Sequence, residues 1–392
     1  MLIILPIFAE DRKRPIAGEL SLNNINYDIQ YRFTFWQCIL INWKLIANIC
    51  IVRSEVKMDV NKVAHIKAIK KTAKLTYIPH KFSISITSKC NLRCTTCLYL
   101  LQNPKYFTNK GLMVIEDYKN MLLKYQQHID VLTLTGGEPL MHPQLEEFVD
   151  FAISLNISVG FQTNGILIKD SLDICKKVNG FKISLDAYDS ATYRKNRGGT
   201  NKEWNDILDG VQLLKENDIK FDISFLMSRT NIHEIFKMLE LANTLKPSWV
   251  NFNSFNPHSN NTSHVLLTSD DSAIGTFSKI MQKTDYNYDI TLPYIFNDQT
   301  EHYKSKVCNY PWFQVSAQEN GFLAYCCHTI HDQSIGNIFE DNDFNSPMMQ
   351  NWRQQLLKHK LPKHCKYCHR RFQGEYTTFD KERNIWENNR LD

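Results

Sequence analysis

From Phe82 onward, short runs rich in β-branched residues alternate with amphipathic stretches at a steady interval. FSISI (82–86), VLTLT (131–135), SVGFQT (158–163), FKISLDA (181–187), FDISFLM (221–227) and WVNFN (249–253) read as strands. The segments 113–128, 143–155, 169–178, 203–217 and 231–245 lie between them and read as amphipathic helices, and Pro143 suits a first helical position. Six strand–helix units of this size predict an α/β fold with parallel βαβ crossovers, a partial (β/α)6 TIM-like barrel over 81–255. A doubly wound open sheet is the competing architecture, although no GxGxxG opens a helix. In either arrangement the chemistry belongs at the C-terminal ends of the strands.

Upstream the pattern changes. Residues 1–57 read as an irregular extension, and Met58 is a candidate start for the natural chain. The stretch Phe33 to Val52 is twenty residues long and largely apolar, long enough to raise the question of a membrane span. Gln37, Asn42, Lys44 and Asn48 interrupt it, so membrane insertion is not expected. Val60, Val63, Ile66, Ile69 and Ala73 recur at helical spacing among lysines, which predicts a lead-in helix over 58–80 with a solvated basic face. Beyond the barrel, 256–304 reads as a connector, 305–372 as a small cysteine-rich domain, and 373–392 as a tail.

Composition excludes a disordered chain: 43% of the 392 residues are hydrophobic and 22% charged. A net charge of +5, from 46 basic and 41 acidic residues, gives no case for a nucleic-acid partner. The cysteines say more. There are eleven, an odd number, and they are unevenly spread: Cys90, Cys94 and Cys97 crowd together, Cys326 adjoins Cys327, and Cys365 and Cys368 form a CxxC. The chain opens without a secretory signal, so a reducing cytoplasm with metal-bound thiolates is expected rather than a disulfide framework. The CxxxCxxC triplet follows the first strand. Three soft ligands on one loop suit an iron–sulfur cluster or zinc. Three ligands would leave one iron of a four-iron cluster open for chemistry, whereas zinc completed by a distant ligand would be structural.

Cys90-x3-Cys94-x2-Cys97, followed after the second strand by Gly136-Gly137-Glu138-Pro139, resembles the radical SAM superfamily over residues 80–255. The resemblance implies a 4Fe-4S cluster on Cys90, Cys94 and Cys97, with the amino and carboxylate groups of S-adenosylmethionine on the open iron. It implies that Glu138 holds the methionine amino group, while Gly136 and Gly137 let the backbone approach closely and Pro139 stiffens the turn. Thr163 and Asn164 after the third strand, and Ser184 and Asp186 on the fourth, are similar to polar positions lining the family's nucleoside pocket. Ser184 is the better ribose candidate, and Asp186 is alternatively a strand-end cap. Arg197 matches the family's Arg-Gly and is the implied partner of the methionine carboxylate, with Arg194 as competitor. Thr96 departs from the aromatic residue that many members place before the third cysteine.

After residue 300, FQVSA and FLAYC around Gln318-Glu-Asn-Gly321 read as a β-hairpin. The order Cys308-x12-Gly321-x4-Cys326, Gly336-Asn337 and Cys365-x2-Cys368 resembles the SPASM/twitch extension of radical SAM enzymes over 305–372. The resemblance implies one auxiliary 4Fe-4S cluster on Cys308, Cys326, Cys365 and Cys368. Structural zinc on the same four is the rival, and Cys327, His328, His364 and His369 are alternative ligands. The whole implies a radical oxidoreductase that cleaves S-adenosylmethionine and oxidises a small polar substrate such as a sugar or cyclitol. The alternative is a peptide-modifying maturase, and a non-catalytic iron–sulfur or zinc protein is the remaining class. A flavodoxin- or ferredoxin-type reductant is the expected partner, and His258 and His264 are candidates for a general base.

Overall fold

The computed structural model describes residues 71–102, 111–257, 263–267, 271–283, 285–296, 307–329, 335–340, 344–362, 365, 367–368, 377–382 and 385–388. The first half follows the alternation read from the sequence. It runs β1 (Lys81–Thr87), α1 (Leu98–Gln102), α2 (Ile115–Tyr125), β2 (Val131–Gly136), α3 (Leu145–Ser154), β3 (Ser158–Thr163), α4 (Leu172–Lys177) and β4 (Gly180–Ser184). It continues through α5 (Ser190–Arg197), α6 (Asn201–Glu216), β5 (Asp222–Met227), α7 (Ile235–Leu245) and β6 (Trp249–Ser254). Strands β1 to β6 pair in parallel and in sequence order. Strand β4 stops three residues before its expected end, where the chain turns at Asp186 with φ of 52°.

Strand pleating explains why this sheet can enclose a site. Alternate residues of a strand face opposite sides. Ile84, Leu134, Phe161, Ile183, Phe225 and Phe252 are buried in one core with helix residues such as Phe148, Ile207 and Met238. The neighbouring Ser85, Thr135, Gln162, Ser184, Ser224 and Asn253 face the other way and line a single cavity. The concave side of this barrel is therefore polar rather than filled by layers of branched side chains.

Three regions differ from expectation. The supposed connector carries a helix, α8 (Asp271–Met281), and a seventh parallel strand, β7 (Asp289–Thr291), which pairs with β6. Next come the short helix α9 (Tyr310–Phe313) and strands β8 (Gln314–Ala317) and β9 (Leu323–Ala324). The hairpin they form is no separate layer: β8 pairs in parallel with β1 and so covers an otherwise bare sheet edge. After α10 (Pro347–Leu357), the expected tail supplies an antiparallel pair, β10 (Thr377–Asp380) and β11 (Ile385–Asn388), docked on β7. The result is one sheet of eleven strands, ordered β11-β10-β7-β6-β5-β4-β3-β2-β1-β8-β9.

The lead-in helix over 58–80 is not formed in its described part, 71–80. The backbone there is engaged elsewhere. The Trp312 indole donates to the Thr72 carbonyl at 2.9 Å, Arg353 Nη1 donates to the Ala73 carbonyl at 3.2 Å, and the Leu75 amide donates to Asn345 Oδ1 at 2.6 Å. Pro79 removes a further donor. The apolar stretch Phe33 to Val52 lies outside the described residues. Among those described, no helix is long and apolar enough to cross a membrane.

At the N-terminal end of the strands, Asp222 stands between Lys182 on β4 and Trp249 on β6. Burial pushes its carboxyl up to about 6 against the nearby Lys182 charge, and Asp289 adds to the rise. A carboxyl raised above its ordinary value of 3.8 favours the protonated native state, so its contribution is complete in acid and is lost as the pH rises through about 6. Asp222→Asn is accordingly expected to gain stability over the parent above that pH, and to lose the advantage in acid. Urea denaturation at a series of pH values reads the difference.

Candidate active site

The C-terminal strand ends converge on a cavity of about 340 Å3. Cys90, Cys94 and Cys97 lie along one wall, on the loop between β1 and α1. All three are free thiols. Leu92, 2% exposed, anchors the loop in the core, and Arg93 Nη1 braces it by donating to the carbonyls of Cys90 (2.9 Å) and Leu92 (2.7 Å). The loop closes where the Cys97 amide meets the Cys94 carbonyl at 3.2 Å, and α1 starts at the next residue. Thr96 lines the cavity, as does Tyr99, an aromatic residue three positions later that the sequence reading passed over. Burial pushes the Cys94 thiol up to about 11, opposed first by the guanidinium of Arg197.

The turn after β2 locks onto this loop. The Gly137 amide donates to the Thr87 carbonyl and the Glu138 amide to the Lys89 carbonyl, both at 2.8 Å. The approach is too close for side chains: a Cβ on Gly137 would collide with the Lys89 carbonyl, and Gly136, at φ of 132°, would collide with that of Thr87. Glu138 is 1% exposed. One of its carboxylate oxygens accepts from the Thr163 hydroxyl (2.7 Å) and the Leu140 amide (3.1 Å), the other from the Asn164 amide (2.6 Å). Its carboxylate thus has three donors within the chain, and Gly136 and Gly137 are the residues of this motif that line the cavity. The Asn164 side chain continues the lattice to Asn91 Oδ1 at 2.6 Å, between the first two cysteines.

On the far side, Arg197 Nη1 pairs with Asp186 Oδ2 at 2.7 Å, both side chains nearly buried. Asp186 also accepts from the Leu226 amide at 2.7 Å, which is the strand-end role weighed for it. The Arg197 Nε is buried without an acceptor, and the side chain lines the cavity. Ser184 lines it too, its hydroxyl accepting from Gln162 at 3.0 Å. The structure therefore brings Gly136, Gly137, Thr163, Asn164, Ser184 and Arg197 to one cavity with the three thiols. Exposed Arg194 is not part of that wall.

A second pocket collects Cys308, Cys326, Cys327, Cys365 and Cys368. They arrive from three places: the entry to α9, the end of β9 and the segment beyond α10. Burial pushes the Cys326 thiol up, and the neighbouring thiols of Cys327, Cys365, Cys368 and Cys308 add to the rise. Cys327 and His328 line this pocket and the larger cavity alike, so they form the wall between the two.

Among the described residues, no three His, Cys, Asp or Glu side chains gather closely enough to hold a single metal ion. The donor chemistry fits a larger sulfur-bound group: free soft thiols around each pocket, a glycine cradle no Cβ could occupy, and a guanidinium Nε awaiting an acceptor. His264 is exposed and stacks edge-on against Phe255 instead of lining the cavity. His258, His364, His369, Cys38 and Cys50 lie outside the described residues. Sequence reading missed Ser224 within β5, and Asn253 and Asn256 at the end of β6; the strand-end rule applied to the first four strands would have reached the last two. Ser316 and Ala317 on β8 gave no local signal, because only the pairing of β8 with β1 brings them to the cavity.

Residues 84–242 match the model of the radical SAM superfamily. The chain is 25% identical over 299 residues to the antilisterial bacteriocin subtilosin biosynthesis protein AlbA of Bacillus subtilis, a match spanning 74% of this chain and 64% of AlbA. Among solved structures, Streptococcus suis SuiB bound to the precursor peptide SuiA superposes with a TM-score of 0.57 at 15% identity, covering 75% of this chain and 71% of SuiB. anSMEcpe with bound AdoMet and Cp18Cys peptide gives 0.54 at 16% identity, covering 76% and 88%. At those identities the likeness is one of fold.

Glu138→Ala would leave the Thr163 hydroxyl and two backbone amides facing a void, and should cost about 2 kcal/mol or more in urea unfolding. Glu138→Gln should recover part of that loss. It keeps an acceptor for Thr163 and Leu140 while setting an amide donor against the Asn164 amide.

Proposed function

We propose that the whole chain is a radical SAM maturase that modifies a peptide, on the premise that residues 84–242 match the model of the radical SAM superfamily. The observation that carries the reading is the pair of thiol-lined pockets with a common wall at Cys327 and His328. A peptide replaces the expected sugar or cyclitol. AlbA is named for bacteriocin biosynthesis, and SuiB and anSMEcpe were solved with peptides bound. Oxidation of the substrate, with the second cluster as electron acceptor, is the finer part of the proposal.

Radical SAM proteins use a 4Fe-4S cluster and S-adenosylmethionine, and together these supply a 5′-deoxyadenosyl radical that removes a hydrogen atom from substrate. The protein's own part is to bind, orient and exclude water. Cys90, Cys94 and Cys97 would hold the first cluster. Gly136 and Gly137 offer bare backbone for close approach to the methionine end. Arg197 supplies a nearly buried cation whose unpartnered Nε would orient a carboxylate, and Asp186 fixes its position from behind. The polar face of β1 to β6, with Ser184 and Asn253 among its members, presents hydrogen-bonding groups to nucleoside and substrate. Cys308, Cys326, Cys365 and Cys368 would hold the auxiliary cluster behind the Cys327–His328 wall.

Anaerobic reconstitution should load about eight irons per chain, as two four-iron clusters require. Dithionite with S-adenosylmethionine should then yield 5′-deoxyadenosine. Cys94→Ala should abolish that product. Cys365→Ala should keep some cleavage, lose about half of the iron and stop conversion of peptide. The peptide is sought by co-expression with short open reading frames encoded beside the gene, followed by mass spectrometry. Metal analysis showing zinc alone would sink the proposal, and failure of every such peptide to change mass would remove the maturase reading.

A further inference from the structure

Helix α5 turns one face inward. Thr192, Tyr193 and Arg197 are its buried residues, and Tyr193 and Arg197, four positions apart, are neighbours on that face. The end of the helix is pressed against the cysteine loop on both sides of Cys94. The amide and the hydroxyl of Thr95 both reach the Asn196 carbonyl at 3.1 Å. The Arg93 carbonyl lies 3.0 Å from where a Cβ on Gly198 would stand. Two donors on the inward face end without an acceptor. One is Arg197 Nε, whose side chain lines the cavity, and the other is the hydroxyl of Tyr193, a residue 0% exposed.

The Tyr193 ring is held from two sides. Trp204 packs against it with ring centroids 5.5 Å apart, and a Cβ on Gly199 would stand 2.2 Å from its Cε1 and 3.0 Å from its hydroxyl oxygen. The hydroxyl therefore stays inside, where an unmet donor costs free energy. Its polar neighbours do not answer it. Arg197 has no acceptor atom. Asp186 gives one oxygen to Arg197 and the other to the Leu226 amide, and Glu203 Oε2 takes both the amide and the hydroxyl of Thr200. Sulfur is the acceptor that remains. Burial pushes the Tyr193 hydroxyl up, Arg197 opposes the rise, and Glu203, Cys94 and Cys90 add to it, so the loop thiols lie within its electrostatic reach. Sulfur already accepts once in this loop, at Cys90 Sγ from the Leu92 amide at 3.5 Å.

Resting on the radical SAM reading, we propose that the Tyr193 hydroxyl donates a hydrogen bond to sulfur on the Cys94 side of the cluster held by Cys90, Cys94 and Cys97, and so tunes that cluster's reduction potential. A hydrogen bond to sulfur favours the more negative, reduced cluster and raises the potential. The hydroxyl keeps its proton in both oxidation states, and no covalent bond forms or breaks. Tyr193 stands behind the cavity wall rather than in it, so this role is separate from holding S-adenosylmethionine or substrate.

The test is an anaerobic redox titration of iron- and sulfide-loaded protein with dithionite and mediators, read by EPR. Added S-adenosylmethionine identifies the first cluster, because it perturbs that cluster's signal. Tyr193→Phe keeps the ring against Trp204 and Gly199 and removes only the oxygen. It should shift the one-electron equilibrium of the first cluster about tenfold towards the oxidised state, a fall in midpoint of about 59 mV. The midpoint of the auxiliary cluster should stay at the parent value. A first-cluster midpoint unchanged in Tyr193→Phe overturns the proposal. An equal fall at both clusters overturns it too, since a general loosening of the fold would give that result. If the parent shows no EPR signal that responds to S-adenosylmethionine, the radical SAM reading itself fails, and the tuning role with it.

Discussion

A carboxylate buried at 1% exposure has to be met by donors, and the need to satisfy Glu138 organises the cavity end of the barrel. Burial pushes its carboxyl up, and the Asn164 amide, the Thr163 hydroxyl, the Leu140 amide and the Arg197 charge oppose that rise. The turn after β2 is thereby tied to the end of β3. The backbone on either side of Glu138 is tied in turn to the Thr87 and Lys89 carbonyls ahead of Cys90. One buried group fixes the glycine cradle, the cysteine loop and two polar residues of the cavity wall relative to each other. Preorganisation of that kind is what a reactive site needs from its scaffold.

The charge pattern around the thiols follows the same logic at longer range. Arg197 opposes the upward push on Cys90 and Cys94, and Asp186 holds it in place. On the same helix, Arg194 and Lys195 are exposed. A single eight-residue helix, α5, so presents a buried cation to the cavity and exposed cations to solvent. Its geometry depends on two ordinary devices, the Asp189 cap at its start and Gly198 at φ of 70° at its end.

Continuity of the sheet links the two pockets. Because β8 pairs with β1, the hairpin that leads into Cys326 begins from the same sheet that leads into Cys90. A shared strand holds two sulfur-lined sites on either side of a single chain segment, Cys327 and His328, that lines both. An independent small domain on a flexible linker would not fix that relation.

The sequence alone determined the six strand–helix units, because period-2 and period-3.6 patterns are local properties. It also determined the candidate chemistry of the Cys90-Cys94-Cys97 loop and the Gly136-Gly137-Glu138 turn, because short spacings on a strand-end loop leave little conformational choice. The alternation Ser83-Ile84-Ser85 and Thr133-Leu134-Thr135 even carried the polar interior, once the direction of the faces was known. Tertiary structure decided what depends on distant pairing. It placed the hairpin on β1, recruited β7, β10 and β11 to the sheet, drew residues 72–75 out of a helix towards Trp312 and Arg353, and turned the Glu138 carboxylate onto Thr163 and Asn164. These outcomes rest on sheet edges and buried polar groups finding partners far along the chain, and a local pattern does not encode those contacts.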